Sequence, residues 1–499
     1  MIMTEKVLKF FKEICSMPHG SGNCSLVGDY LLKFAKDRGL NAIKDEKGNV
    51  LISAPAVKKD NLPENTVILQ GHQDMVCVKE ESCKLDMSKD PLDYREENGM
   101  IYAKGTSLGA DDGIGVAMAL AVLDNNENPR PPIEALFTVD EETGMSGAAA
   151  FDTSLLKGRR LINLDSEEEG VVTCACAGGE RLDVLVPLGS LPSKLFSAQS
   201  DSAGNTNAPE PADLAYIKIC VTGLQGGHSG CDIHKGRLSA LRIITDILGK
   251  ISDKKFALAE FYGGRFDNVI CSEAYAVILM SRDEKNNIRS RLLEIKDKEL
   301  VMCMKTEKNV SIDLSTSDTP YSGNGFVLGF EETKEFLEAM DKIPQGVTHM
   351  MKERPDAVDT SMNMGTVKTE GNQLKITFSL RSSCDDRRRD LEKRVTEALS
   401  GIHGCKWSVR DPYPAWNYVP KSTLRDVLCE SYEELFRKEM ETAVTHGGLE
   451  CGYFASGIKG CEIVSIGPQI DDIHSVKEKI SKDSIDRTMK LLVKALEKL

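Results

Sequence analysis

The sequence contains no run of about 20 apolar residues, and this absence excludes an ordinary membrane-spanning helix. The N-terminal stretch MIMTEKVLKFFKEICSMPHG also lacks a continuous apolar segment, because lysines and glutamates interrupt it. Its apolar residues recur at helical spacing, so we expect a first helix there rather than a signal peptide. Short-period repeats and low-complexity tracts are missing as well. These absences favour a globular protein.

A disulfide framework is also missing. The 15 cysteines are an odd number scattered over 499 residues, whereas disulfide-rich secreted proteins are normally short and have an even count. Cys174 and Cys176 are spaced C-x-C without a second pair in register, which argues against a structural zinc knuckle. We therefore expect free, mostly buried thiols and a cytoplasmic location.

Positive charge is in deficit. The chain has 63 lysines and arginines against 77 aspartates and glutamates, a net charge of −14. Because an acidic surface repels phosphates, we expect neither nucleic acid nor an anionic membrane as a partner. The basic run DDRRRDLEKR at 385–394 alternates with acids, which is typical of a solvated helix face.

The length and the hydrophobic pattern predict two domains, since 499 residues exceed what one core usually serves. Short apolar strands at 66–70, 133–139 and 160–165 are separated by helical patterns, among them a strongly apolar helix after the first strand. This pattern predicts an α/β domain with a mostly parallel central sheet covered by helices. The same style of strand returns at 461–468, so we assign residues 1–186 and 405–499 to this domain.

Residues 187–404 follow a different pattern and form a predicted inserted domain. The stretch 189–212 is rich in Ser, Pro, Gly and Asn, as linkers and loops are. After it, LAYIKICVTG and LKITFSLRS alternate apolar and polar residues, as half-exposed antiparallel strands do. RLSALRIITDILGKI and ETKEFLEAMDKI have the spacing of amphipathic helices. We therefore expect an inserted α+β domain.

Residue types that bind metals follow several of the predicted strands. The groups are His72 and Asp74 after VILQG, Asp140, Glu141 and Glu142 after IEALFTV, Asp165 after RLINL, and His474 after VSIGPQIDDI. Asp111 and Asp112 lie on a Gly-flanked turn just before an apolar helix. Because ligands bind beyond the carboxyl ends of the strands in open α/β sheets, we expect these groups to converge there.

The chemistry of this set fits a two-metal site. Two histidines and several carboxylates suit Zn²⁺ or another borderline first-row ion, and one carboxylate can bridge two ions. Asp74 lies two residues from His72 and can accept a hydrogen bond from its ring. Adjacent glutamates allow one to bind metal while the other acts as general base. Each residue also has an ordinary structural interpretation, but the agreement of several at one location favours the metal site.

The motifs GHQD, GADDGIG, DEETGMSGA, LDSEEEG and the late IH resemble the di-zinc peptidase family of dipeptidases, tripeptidases and aminoacylases. LINLDSEEEG, CAGGE, GGHSG and HGGLECG are similar to its dipeptidase members, in order over nearly the whole chain. The resemblance implies two Zn²⁺ per chain, with Co²⁺ or Mn²⁺ as alternatives, and hydrolysis of unblocked dipeptides, Xaa-His among them. It also implies a homodimer in which the inserted domain, 187–404, serves as lid, substrate and dimerisation domain.

The resemblance further implies roles for individual residues. His72, Asp111 and Asp165 would hold one ion, and Asp111, Glu142 and His474 would hold the other. Glu141 would be the general base, Asp74 would orient His72, and His228 would stabilise the oxyanion. The implied substrate contacts are Arg381 for the C-terminal carboxylate, Glu450 for the free amino terminus, and His446 and Asn268 in the pocket lining.

Two other functions compete with this interpretation. An N-acyl amino acid deacylase on the same fold would need no anchor for a free amine. A non-catalytic binding protein would be expected to have lost a ligand or the base, whereas the whole set is present here.

Overall fold

A computed structural model of the chain describes residues 3–57, 65–191, 214–317, 321–323 and 325–499. The chain divides into two compact units: the first unit comprises Met1–Cys176 and Tyr413–Leu499, and the second unit comprises Ala177–Pro412. Most of the predicted linker at 189–212 lies outside the described residues, which include only its first three positions.

The first unit is built on a mixed sheet, with strands numbered in chain order through the whole protein. Its strands are β1 Asn41–Lys44, β2 Val50–Ala54, β3 Val67–His72, β6 Ile133–Thr138, β7 Arg160–Asn163, β8 Val171–Cys176, β22 Glu441–Thr445 and β23 Glu462–Ser465. Their order is β1-β2-β6-β3-β7-β23-β8-β22. The central strands β6, β3, β7 and β23 are parallel neighbours, whereas β1, β2 and β6 pair antiparallel. A smaller sheet contains β4 Tyr94–Glu97, β5 Met100–Ala103, β24 Ile470–Asp471 and β25 Lys479–Ser481.

Apolar groups cover both faces of the main sheet. Within β3, Val67 and Leu69 belong to one core cluster and Ile68 belongs to another, because successive strand residues face opposite sides. The helices of this unit are α1 Met3–Cys15, α2 Ser25–Asp37, α3 Ala110–Leu123, α4 Ser146–Ala150, α9 Thr423–Phe436, α10 Cys451–Gly457 and α11 Lys482–Leu496. Every residue of α3 is buried, as expected for a helix that is apolar on all sides.

The second unit is an antiparallel sheet with helices. Its main-sheet strands are β9 Gly178–Pro187, β11 Leu214–Thr222, β13 Ala257–Gly263, β15 Ala274–Ser281, β16 Ser311–Ser317, β18 Gly346–Met350, β19 Val358–Glu370, β20 Gln373–Ser382 and β21 Lys406–Tyr413. Two short pairs join β10 Gly189–Ser190 to β17 Phe326–Val327 and β12 Gly227–His228 to β14 Val269–Ile270. Its helices are α5 Ala240–Gly249, α6 Arg282–Cys303, α7 Phe330–Lys342 and α8 Asp385–Leu399.

The prediction of α/β architecture is confirmed at the level of mixed sheets combined with helices. The sheet of the first unit was predicted to be mostly parallel, and it contains both parallel pairs and the antiparallel pairs of β1, β2 and β6. The basic run differs from its prediction in one respect. Arg388 of α8 is buried and pairs with Glu180, so this helix face is not wholly solvated. In the described part of the chain, no helix combines the length and the apolar character that crossing a bilayer requires.

Candidate metal centre and substrate site

Three adjacent parallel strands bring the predicted ligands together. β3 ends at His72, the turn after β6 carries Glu141 and Glu142, and Asp165 follows β7 by two residues. β3 lies between β6 and β7 in register, so the three strand ends meet at one edge of the sheet. The irregular first turn of α3, where the backbone departs from helical geometry, adds Asp111, and the segment after β24 adds His474.

The five predicted ligands form two groups that share Asp111. The Nε2 atom of His72 lies 3.2 Å from Oδ1 of Asp111 and 3.3 Å from Oδ1 of Asp165. The Nε2 atom of His474 lies 3.0 Å from Oδ2 of Asp111 and 2.9 Å from Oε1 of Glu142. Within each group the ligand atoms lie within 4.8 Å of one another, so each could surround one ion.

The residues present fit a pair of zinc ions. Each group offers one imidazole nitrogen and two carboxylates, a donor set that Zn²⁺ accepts. His72, Asp111 and Asp165 are almost fully buried, and such charges are unfavourable unless they are paired or bind a metal. The two oxygens of Asp111 face the two histidines, which is the arrangement of a bridging carboxylate.

The charges of this cluster shift the pKa values of its members. Burial lowers the pKa of His72, but Asp165, Asp111 and Asp74 outweigh burial and raise it well above its usual value. Hydrogen bonds to Asp111 and Glu142 raise the pKa of His474 to about 11. Burial would raise the pKa of Asp111, but its bonds to both histidines lower it instead. The cluster therefore favours the ionised form of Asp111, the form that binds a metal ion.

Asp74 connects His72 to the turn that carries the two glutamates. The Nδ1 atom of His72 lies 3.0 Å from the main-chain oxygen of Asp74 and 3.5 Å from its carboxylate. That carboxylate accepts hydrogen bonds from the backbone N–H of Glu141 at 3.0 Å and of Glu142 at 3.3 Å, and from the hydroxyl of Ser21 at 2.8 Å. Asp74 therefore orients the histidine mainly through its main chain and the glutamates through its side chain.

Glu141 lies beside the candidate ligands. One of its carboxylate oxygens is within 4.8 Å of ligand atoms of His72 and Glu142. Burial raises the pKa of Glu141 well above its usual value, and the charges of Asp165, Glu142 and Glu450 raise it further although His72 opposes them. A carboxylate with a raised pKa is a better proton acceptor near neutral pH.

Asp112 and Glu478 hold the irregular start of α3. The carboxylate of Asp112 accepts hydrogen bonds from the backbone N–H of His72 at 3.2 Å and of Gly115 at 3.1 Å. Glu478 accepts from the N–H groups of residues 108, 109, 110 and 111 at 2.8–3.5 Å. A side chain at Gly71 or Gly115 would overlap Asp112, which accounts for glycine at both positions. Asp111, and not Asp112, is thereby left facing the histidines.

His446 and Glu450 lie in the first unit, away from water. Glu450 is fully buried, and its carboxylate accepts hydrogen bonds from Gln70 at 2.5 Å and Thr138 at 2.6 Å. Burial raises the pKa of Glu450 to about 7, although His72, Thr138 and Gln70 oppose the shift. His446, just after β22, is also buried. Glu450 thus lies beneath the ends of the strands that carry the ligands, and it is not on an open surface.

The remaining predicted residues belong to the second unit. The Nδ1 atom of His228 accepts hydrogen bonds from the backbone N–H groups of Gly230 at 3.2 Å and Cys231 at 3.1 Å, which leaves the proton of a neutral ring on Nε2. Burial lowers the pKa of His228, and the charge of the nearby Arg381 lowers it further. The main-chain oxygen of Asn268 accepts a hydrogen bond from the backbone N–H of Ser229, next to His228. His228, Arg381 and Asn268 therefore lie near one another.

Sequence reasoning missed Glu167 and the supporting role of Glu478. Burial raises the pKa of Glu167 to about 7, and the charges of Asp111 and Glu142 contribute. Glu167 lies two residues after Asp165 in an extended segment, a spacing that could have indicated it. No pattern in the sequence around Glu478 indicates that its carboxylate binds backbone N–H groups 367–370 residues earlier in the chain.

A histidine–carboxylate cluster at the ends of parallel strands is an arrangement that two-metal hydrolases use. The sequence model described as Peptidase family M20/M25/M40 matches residues 68–498. The chain is 32% identical over 498 residues to the cytosol non-specific dipeptidase of Escherichia coli K12, covering 98% of this chain and 96% of the relative. The chain therefore belongs to peptidase family M20/M25/M40. The Escherichia coli relative is, by its name, an enzyme that hydrolyses the peptide bond of dipeptides.

Solved structures agree with this assignment. The aminoacylhistidine dipeptidase of Vibrio alginolyticus superposes with a TM-score of 0.85 at 31% identity, covering 99% of this chain and 96% of that one. Aminopeptidase PepT from Bacillus cereus shares the fold, with a TM-score of 0.57 at 16% identity and coverage of 99% and 98%. The first similarity extends over both units of this chain.

Proposed function

We propose that this protein is a metal-dependent dipeptidase that cleaves unblocked dipeptides, Xaa-His among them. The observation that carries the proposal is the pair of ligand groups sharing Asp111, with the carboxylate of Glu141 beside them. The names of the relatives, a cytosol non-specific dipeptidase and an aminoacylhistidine dipeptidase, support the choice of dipeptides.

Five residues would hold two zinc ions. His72 and Asp165 would bind one ion, Glu142 and His474 the other, and Asp111 both. When bound, such ions lower the pKa of water toward neutrality and polarise the scissile carbonyl. Co²⁺ or Mn²⁺ could replace zinc at the same ligands, since nitrogen and oxygen donors accept each of them.

Glu141 is the proposed general base. It would take a proton from the attacking water and later give that proton to the leaving amine. Its backbone N–H is held by Asp74, so the position of its carboxylate is tied to that of His72. The raised pKa of Glu141, caused by burial and neighbouring carboxylates, suits both directions of transfer.

His228 is the proposed stabiliser of the oxyanion. With Nδ1 occupied by backbone N–H donors, a neutral His228 carries its proton on Nε2 and can donate it to a developing negative charge. Its lowered pKa, caused by burial and by Arg381, keeps the ring neutral near pH 7. We propose that His228 acts within one chain or across a homodimer, and that the second unit serves as lid and dimerisation domain.

Opposite ends of the dipeptide would meet opposite charges. Arg381 would bind the C-terminal carboxylate, because a guanidinium group matches a carboxylate in shape and charge. Glu450, which is buried beneath the strand ends, would attract the free amino terminus through its charge. His446 and Asn268 are the further proposed contacts of the substrate. A cytoplasmic location is part of this proposal, in line with the name of the Escherichia coli relative.

The test is hydrolysis of a dipeptide panel by the purified chain, before and after treatment with a chelator. We expect hydrolysis of β-alanyl-histidine and other unblocked dipeptides, a loss of at least about 100-fold with the chelator, and recovery with Zn²⁺. N-acetylated forms of the same dipeptides are the matched controls. Faster cleavage of the acetylated forms would indicate a deacylase, and activity that survives metal removal would contradict the metal site.

A further inference from the structure

A cavity of about 490 Å³ opens beside the candidate metal centre, wholly within the first unit. Its volume lies in the range of roughly 300–1,000 Å³ that is typical of ligand sites. Glu142 and Thr143 form one wall, so the cavity reaches a proposed metal ligand. Its other walls come from Gly20, Ser21 and Asn23 after α1, residues 75–77 after β3, and residues 87–88 before β4.

The walls of this cavity are mainly apolar. Met75, Val76, Cys77 and Met87 supply methyl groups and sulfur atoms. Among the described residues that line the cavity, Glu142 alone carries a charge. Because methionine side chains are flexible and polarisable, such walls adapt to apolar groups of different shape. The cavity therefore suits an uncharged apolar side chain.

Hydrogen bonds join the walls to one another and to the site. The hydroxyl of Ser21 donates to the carboxylate of Asp74 at 2.8 Å, and the side-chain amide of Asn23 donates to the main-chain oxygen of Ser88 at 3.0 Å. The backbone N–H of Met75 donates to the main-chain oxygen of His19 at 3.1 Å. Since Asp74 also holds the backbone of Glu141, the cavity and the proposed base are positioned by the same carboxylate.

We propose that this cavity binds the side chain of the substrate's N-terminal residue and selects large apolar side chains. The inference rests on the proposed function, in which Arg381 of the second unit takes the C-terminal carboxylate. The cavity belongs to the same unit as Glu450, the proposed partner of the amino terminus, and it adjoins Glu142. It therefore serves the residue on the amino side of the scissile bond.

The first test compares Xaa-Gly dipeptides in which Xaa is Gly, Ala, Leu, Met or Phe, with the zinc-loaded full chain. We expect kcat/KM to be at least about tenfold higher for Leu-Gly and Met-Gly than for Gly-Gly, since apolar pockets discriminate to this extent. In Cys77→Trp the indole fills the cavity, and the ratio of kcat/KM for Leu-Gly to that for Gly-Gly falls about tenfold. Ser82→Trp, an exposed position in the same segment outside the cavity, leaves this ratio unchanged.

The second test needs no turnover and no variant that has to fold. Cys77 is an exposed free cysteine, and its contact with the protein surface on one side raises the pKa of its thiol. Alkylation by iodoacetamide is therefore followed at pH 9, because the ionised thiolate is the form that reacts. We expect the product leucine to slow the labelling of Cys77 in the wild-type chain at least about threefold, while glycine has no effect, as measured by mass spectrometry. Cys83, which lies outside the cavity lining, is the internal control.

The outcomes separate the two proposals. Equal kcat/KM across the panel, or labelling of Cys77 that leucine does not slow, would overturn the assignment of the cavity and leave the dipeptidase proposal standing. A chain that cleaves no member of the panel would instead contradict the proposed function itself.

Discussion

At the scale of single residues, buried carboxylates position the functional groups through backbone N–H donors. Asp74 accepts from Glu141 and Glu142, and Asp112 accepts from His72. Bonds between a carboxylate and N–H groups are about twice as strong as neutral hydrogen bonds, so they hold a turn firmly. The geometry of the candidate site therefore depends on acids that need not touch an ion.

Glu141→Gln tests the proposed base. The amide keeps the shape of the side chain but cannot accept the proton of water, so turnover should fall by about 10³-fold or more. Metal content should stay near two ions per chain, because the proposed ligands are unchanged. Elemental analysis and dipeptide kinetics on the same preparation measure both quantities.

Glu168→Gln is the matched control for this change, since Glu168 is exposed and belongs to no part of the proposed machinery. Its turnover should equal that of the wild type. If Glu141→Gln retained activity, the base would have to be another group.

At the scale of elements, Asp124 ties three helices of the first unit together. It follows the end of α3, and its carboxylate lies 2.7 Å from Lys6 of α1 and 2.6 Å from Arg38 at the end of α2. Burial would raise the pKa of Asp124, but Lys6 and Arg38 outweigh it and lower the pKa below the ordinary 3.8. The ionised form is therefore the one that stabilises the helix contacts.

Asp124→Asn should lower the free energy of unfolding by about 1 kcal/mol at pH 7, after allowance for screening by solvent. Because the folded pKa lies below 3.8, the wild-type advantage is complete above that value and disappears as the pH falls through the folded pKa. Urea unfolding at pH 7 and pH 3, in the presence of a chelator, measures the difference. Asp37→Asn, which removes an exposed pair with Lys33, should have no measurable effect.

At the scale of the whole molecule, the two units have separate hydrophobic cores and only the first carries the candidate ligands. Zinc that binds the folded first unit should stabilise that unit alone. Removal of zinc should lower the melting temperature of the first unit by roughly 10 °C. This figure assumes that bound zinc stabilises the unit by about 4 kcal/mol and that each kcal/mol shifts the melting temperature by a few degrees.

The two tryptophans allow this prediction to be measured unit by unit. Trp416 is buried in the first unit, and Trp407 belongs to the second. Fluorescence melting of Trp407→Phe follows Trp416 and should respond to the chelator, whereas melting of Trp416→Phe follows Trp407 and should not. His72→Ala should abolish the response of the first unit. Equal shifts of both signals would mean that the units unfold as one.

Much of the fold could be predicted because its signals are local. The apolar runs that form β3, β6 and β7, and the helical spacing of α3, α5, α7 and α11, depend only on neighbouring residues. The antiparallel edge formed by β1 and β2 was not predicted, since β1 is largely exposed and has no apolar run. The burial of Arg388 was missed for a similar reason, because its partner Glu180 lies 208 positions away.

The sequence by itself determined which residues could bind metal and showed that these residues follow predicted strands. Both conclusions depend only on short segments, because an apolar strand pattern and the chemistry of a ligand side chain are local properties. Only the tertiary structure decided that Asp111 faces both histidines while Asp112 turns to the backbone. It also decided that Glu478 anchors the turn at 108–111 and that three separate segments enclose a cavity beside Glu142. The physical reason is that such contacts join distant parts of the chain, and their geometry arises from packing rather than from spacing along the sequence.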